Sequence, residues 1–166
     1  MIIGRRAYRR HLPHFQSDNR TYFVTFVTHG RWILPAVARD LVMRHIQFDH
    51  GRKINVNIAL VMPDHVHIIA SPVWREALPE ILHGIKGASA RSFNRALCRT
   101  GPVWQQESFD HEIRRDESLN EKIEYVANNP VRRGLVQSPS EYPWLMDTGK
   151  AGRAQPAPDG LRARPT

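Results

Sequence analysis

Between Ile54 and Ile69 the chain reads Ile-Asn-Val-Asn-Ile-Ala-Leu-Val-Met-Pro-Asp-His-Val-His-Ile-Ile. Apolar side chains recur there at every second position, the period of a strand and not of a helix. Over Ile54–Met62 the alternation predicts Ile54, Val56, Ile58, Leu60 and Met62 on one side, with Asn55 and Asn57 on the other. Pro63-Asp64 is turn chemistry, so the run folds as a hairpin. In its second strand Val66 and Ile68 point into a core, while His65 and His67 share the opposite face. Two imidazoles about 7 Å apart along one face can converge on a divalent metal. The plainer alternative is two half-exposed histidines on a polar sheet surface.

A lone hairpin cannot bury its own apolar face, and the flanking segments supply the cover. Thr21–Thr28 is β-branched and aromatic, a strand. Pro35 opens a helix that runs to about Asp49, with Val37, Leu41, Val42, Met43, Ile46 and Phe48 as its apolar face. A longer helix covers about Arg75 to Leu97. Leu78, Ile81, Leu82, Ile85, Phe93 and Leu97 are its core stripe, and Lys86, Arg91, Arg95 and Arg99 its basic side. Residues 103–114 hold one or two short strands. Ser118, with Glu121 three residues on, caps a further helix whose inner face is Leu119, Ile123 and Val126. Pro130 is expected to stop it. The order strand, helix, strand, strand, helix, strand, helix predicts an α+β fold of the split β-α-β kind: an antiparallel sheet with helices packed on one face, and the two histidines on the free face or its edge.

Charge sets the boundaries. Net charge is +8, but residues 21–148 carry only +1 of it, residues 1–20 carry +4 and residues 149–166 carry +3. We read a basic N-terminal arm (1–20), one domain (21–148) and a basic tail (149–166) with too little apolar content to pack. Basic ends on a near-neutral body point to a polyanion, nucleic acid above all. One cysteine, Cys98, excludes an internal disulfide framework and fits a reducing cytoplasm. No apolar run is long enough to span a membrane, and nothing apolar follows Arg5-Arg6 as in a secretory signal.

The helix after Ser118 carries Tyr125, beside its apolar stripe, and Asn129 one turn further on. A tyrosine hydroxyl can attack a phosphodiester and form a covalent ester. A phenol of ordinary pKa, about 10, needs a metal or nearby cations to do so near neutrality. Asn129 offers a carbonyl oxygen suited to magnesium or manganese. Asn128 lies about 60° from Tyr125 around the axis and Asn129 about 40°, so spacing leaves both open.

These residues together resemble the HUH single-strand endonucleases, and within them the REP-associated tyrosine transposases. The likeness runs over about residues 5–145. Its supports are Arg9-Arg10-His11-Leu12-Pro13, Tyr22 to Phe26, Met62 to His67, Asp110 to Arg114, Tyr125 to Val136 and Tyr142-Pro143-Trp144. The resemblance implies an RNA-recognition-like (ferredoxin-like) α/β sandwich, Tyr125 as nucleophile, His65, His67 and Asn129 as ligands of Mg2+ or Mn2+, and a 5′-phosphotyrosine intermediate. It implies single-stranded hairpin DNA from palindromic repeats as partner, a nucleoid-associated cytoplasmic location, and a monomer with a dimer as the alternative. The cations expected to touch DNA are Arg5, Arg6, Arg9, Arg10, Lys86, Arg91, Arg114, Arg132 and Arg133. Two rival readings were weighed. Histidine-triad hydrolases need a third histidine at position 69, which is Ile. A non-catalytic single-stranded nucleic-acid-binding module would stack bases on exposed sheet aromatics, whereas Tyr22 to Phe26 is apolar on both faces.

Overall fold

The computed structural model describes residues 20–73 and 75–149. The expected arm up to residue 19 and the tail from residue 150 lie outside the described residues. In chain order the main elements are β1 (Tyr22–Val27), α1 (Ala36–Asp49), β2 (Ile54–Val61), β3 (His65–Pro72), α2 (Leu78–Ala96), β4 (Phe109–Glu112), α3 (Leu119–Ala127), α4 (Asn129–Arg132) and β5 (Leu145–Asp147). The sheet order is β4-β1-β3-β2-β5, and every neighbouring pair is antiparallel. The first four strands with α1 and α2 make the β-α-β-β-α-β unit expected from the element order, and β5 adds an edge beside β2. The Pro63-Asp64 turn joins β2 to β3 as predicted.

Helices α1 and α2 cover one face. Val24, Phe26, Val66 and Ile68 from the strands meet Val42, Ile46, Ile81, Ile85 and Phe93 in that core. On the opposite face α3 sits over the middle of the sheet, where Ile58, Leu60, Met62 and Ile69 pack with Val126, Ala127 and Tyr142. The face that carries the histidines is therefore partly roofed by α3.

Three expectations need correction. The side chains of β2 do not share one face. Pairing with β3 steps from Val56↔Ala70 to Ile58↔Ile69, so Asn57 is an extra residue, a β-bulge. Ile54 and Val56 face the α1–α2 core, whereas Ile58, Leu60 and Met62 face α3. On α1, Val37 and Phe48 are exposed, and the inner row is Ala38, Val42, Met43 and Ile46. Pro130 does not end helical structure. α3 stops at Ala127, and Pro130 enters the first turn of α4, where its missing N–H is not needed. Elsewhere the predicted cap holds: Ser118 Oγ accepts from Glu121 N at 3.2 Å. α2 begins at Leu78, after Arg75 with φ +71°.

Candidate metal centre and nucleophile

His65 and His67 lie on the α3 side of β3, 5% and 9% exposed. Their rings lean together, with centroids 4.6 Å apart and planes at 71°. Each Nδ1 has its own partner. Asp64 Oδ1 accepts from His65 Nδ1 at 2.6 Å. Thr25 Oγ, which the register of β1 sets opposite His67, lies 2.8 Å from His67 Nδ1. With Nδ1–H donated, the Nε2 lone pair of an imidazole is left for a metal, the arrangement by which outer partners fix the tautomer of a ligand histidine. Asp64 is itself anchored. Its carbonyl accepts from Thr28 N at 2.9 Å and Thr28 Oγ at 3.1 Å, and Oδ2 lies 3.4 Å from Arg31 Nη1.

The electrostatics suit ligation. Burial pushes the His67 imidazole down to about 3, helped by the charges of His65, Arg132 and Arg133 and opposed by Asp64. His67 is neutral near pH 7, so a metal need not displace a proton from it. Burial alone would raise the Asp64 carboxyl. The His65 hydrogen bond and the charges of His65, Arg31 and Arg133 outweigh burial and hold it below the usual carboxylate value.

Phe23, on the same face of β1, links the histidines to the helix. Its ring lies 5.4 Å from that of His67 and 6.5 Å, edge-on, from that of Tyr125. Tyr125 is 51% exposed. The structure also separates the two asparagines. Asn128 faces solvent and donates Nδ2 to the Glu124 carbonyl at 2.9 Å. Asn129 is 7% exposed. Among the described residues no three of His, Cys, Asp and Glu gather as a metal cage.

The expected DNA-contacting cations divide by position. Arg132 and Arg133 are exposed, and their charges are felt at His67. Arg114 is exposed beyond β4, its N–H bound to Glu117 at 3.2 Å. Lys86 points into the fold, donating to the carbonyls of Gln105 and Gln106 at 2.7 and 3.0 Å and to Ser108 Oγ at 3.1 Å. Arg91 is exposed on α2, across the sheet from the histidines. A groove of about 510 Å³ between α2 and the Val103–Asp110 segment also lies on that far side and contains no residue of the pair or of α3. Arg5, Arg6, Arg9 and Arg10 lie outside the described residues. Of the other tyrosines, Tyr142 is buried and donates to the Val61 carbonyl at 2.9 Å, and Tyr22 packs at the margin of the α1–α2 core. Asp64, Thr25 and Phe23 were not singled out from sequence as site residues. The available signals were the adjacency of Asp64 to His65 and a lone threonine inside an aromatic strand.

The chain is similar to known transposases. The family model described as "Transposase IS200 like" matches residues 36–129, from the start of α1 through Asn129. The REP-associated tyrosine transposase of Escherichia coli (strain K12) is 24% identical over 135 residues, which cover 75% of this chain and 74% of that one. ISDra2 transposase TnpA of Deinococcus radiodurans is 40% identical over 50 residues, 30% of this chain and 34% of that one. A REP-associated tyrosine transposase solved bound to a REP hairpin superposes with a TM-score of 0.66 at 23% identity, covering 88% of this chain and 85% of the other, and shows the same fold. No helix among the described residues is long and apolar enough to cross a membrane. The chain belongs to the IS200-like transposase family, enzymes of DNA cleavage and strand transfer.

Proposed function

We propose that this transposase cuts and rejoins single-stranded hairpin DNA through a covalent tyrosine ester, with Tyr125 as the nucleophile. The observation that carries the reading is the junction at Phe23, whose ring meets buried His67 on one side and the exposed tyrosine, edge-on, on the other. His65, His67 and Asn129 would hold a divalent cation, Mg2+ or Mn2+, and when bound it would neutralise charge on a nonbridging oxygen of the scissile phosphate. Tyr125 Oη forms a bond to phosphorus as the bond from phosphorus to the 3′-oxygen breaks. The phenol proton is lost to solvent, and the departing 3′-oxygen gains one. A 5′-phosphotyrosine and a free 3′-hydroxyl result. Attack by that hydroxyl, or by another, on the phosphotyrosine reverses the step and joins strands without a nucleotide cofactor. Arg133, beside the site, supplies a cation for flanking phosphate. The family membership and the hairpin-bound structural relative support palindromic, REP-like DNA as the substrate class.

End-labelled hairpin DNA tests this. Tyr125→Phe is expected to bind hairpin within a few-fold of the parent and to form no adduct, since it deletes one exposed hydroxyl. In the parent, the fragment retained by denatured protein carries its label downstream of the cut. Retention of the upstream fragment through a 3′-phosphate, or adduct in Tyr125→Phe, refutes the mechanism.

A further inference from the structure

Tyr125 stands on the outside of α3, and its hydroxyl has no hydrogen-bond partner among the described residues. Two groups bound its ring. Phe23 meets it edge-on from the sheet, and the Arg132 guanidinium carbon lies 4.0 Å from the ring centroid. The same guanidinium reaches past the ring, where Nη2 donates to the main-chain carbonyl of Tyr125 at 3.0 Å. Arg132 therefore holds one residue at two points, by its ring and by its backbone. Pro130 makes this possible by opening α4, which carries Arg132 to where its side chain returns over Tyr125. The placement is favourable in itself, because a cation at the last turn of a helix meets the negative end of the helix dipole.

We propose that Arg132 is a positioning residue for the nucleophile, fixing the Tyr125 ring against Phe23, and that of the two adjacent arginines only Arg133 is left to grip phosphate. The proposal rests on the reading of Tyr125 as nucleophile. A helical tyrosine has two χ1 choices open to it, and at an exposed site nothing else selects between them. The stack favours one rotamer about 2- to 5-fold. Holding the attacking oxygen matters far more to rate than to affinity, since a misplacement of about 1 Å can slow a reaction about 100-fold. Arg133 is exposed as Arg132 is, but the ring stack and the carbonyl hydrogen bond to Tyr125 belong to Arg132 alone of the two.

The test separates rate from affinity. In full-length Arg132→Gln, the rate of adduct formation at saturating hairpin is expected to fall about 2- to 5-fold, the bias the stack supplies, with the dissociation constant within about 1.5-fold and its salt dependence unaltered. Arg133→Gln should instead weaken binding and reduce the salt slope by about 0.7, the loss of one single-strand phosphate contact. Arg132→Lys keeps the charge but loses the two-point hold, so it should bind normally and remain slow. If Arg132→Gln fails a melting-curve check, the lysine variant carries the same comparison. A second readout needs no DNA. In protein labelled with 3-fluorotyrosine, the fluorine resonance of Tyr125, assigned by its absence from Tyr125→Phe, should shift in Arg132→Gln as the ring samples a second rotamer. Weakened affinity with an unchanged saturating rate overturns the proposal, as does full rate in Arg132→Lys or an unmoved fluorine resonance. Adduct in Tyr125→Phe is a different failure, of the nucleophile assignment, and leaves the fluorine result standing on its own.

Discussion

Acidification should loosen this domain through one buried imidazole before the carboxylates matter. His67 titrates at about 3 in the folded chain and near 6.5 when unfolded. Between those values the unfolded state binds the extra proton, so stability rises with pH and is lost as pH falls below about 6.5. Integrated from neutral pH to pH 5, the difference is about 2 kcal/mol. Because pH 5 lies well above the folded value, that figure is set almost entirely by the unfolded side chain. Urea unfolding at pH 7 and pH 5, with chelator present to keep metal away, measures it. His67→Gln removes the titrating group, so its stability should change about 2 kcal/mol less than the parent's between the two pH values. His45, whose pKa burial also lowers, is present in both proteins and drops out of the comparison. The carboxyls of Asp64 and Glu117 are held low and titrate below this window. Parallel losses in the two proteins would mean that His67 takes up a proton in place, and the buried, neutral His67 described above would be wrong.

Two shorter tests address residues whose roles the structure separates. Asn129→Ala should weaken metal activation of cleavage more than Asn128→Ala, with high magnesium restoring part of the rate, because the Asn128 amide is already bound to Glu124; equal effects in a magnesium titration would remove Asn129 as a ligand. Lys86→Met should lower stability by about 1–2 kcal/mol, from the loss of charge-assisted hydrogen bonds, while the salt slope of hairpin binding stays as in the parent; a slope lowered by about 0.7 would make Lys86 a phosphate contact after all.

Legibility from sequence followed the range of the interactions. The hairpin, the facing of His65 and His67, and the cap at Ser118 depend on residues within a few positions of one another, and local period and turn chemistry expose them. The partners that finish the site do not. Thr25 meets His67 only because β1 pairs with β3 in one register, and Phe23 reaches Tyr125 only once α3 has crossed the sheet. Lys86 shows the same limit from the other side. On a helical wheel it belongs to a basic stripe, but the segment from Gln105 to Ser108 returns beneath it and takes its amine. The contact of Arg132 with Tyr125 was hidden for a related reason. Pro130 read as a stop, and only tertiary packing shows the chain restarting a helical turn that sets Arg132 over Tyr125.

The misread strand gives the sharpest remaining test. Alternation from Ile54 to Met62 is unbroken in sequence, yet the bulge at Asn57 sends its two halves to opposite cores. Since Val56 and Ile58 already pair with the consecutive residues Ala70 and Ile69, deleting Asn57 should leave a regular ladder with every apolar side chain on its present face. What is lost is an anchor for β5. The Asn57 carbonyl accepts from both the N–H and the hydroxyl of Thr148, at 3.0 Å each. The hydroxyl has a single hydrogen, which it keeps on the Val56 carbonyl at 2.8 Å, so the net loss is one hydrogen bond, worth about 1 kcal/mol. Denaturant unfolding should therefore show a folded, cooperative protein about 1 kcal/mol less stable. If the bulge were instead what holds Ile58, Leu60 and Met62 beneath α3, the deletion would turn them away, expose the second core and abolish the cooperative transition. A slip of one residue reverses every side chain in a strand, so the two outcomes are far apart, and the first requires the histidine face to be set by the pairing of β3 with β1 and not by the bulge.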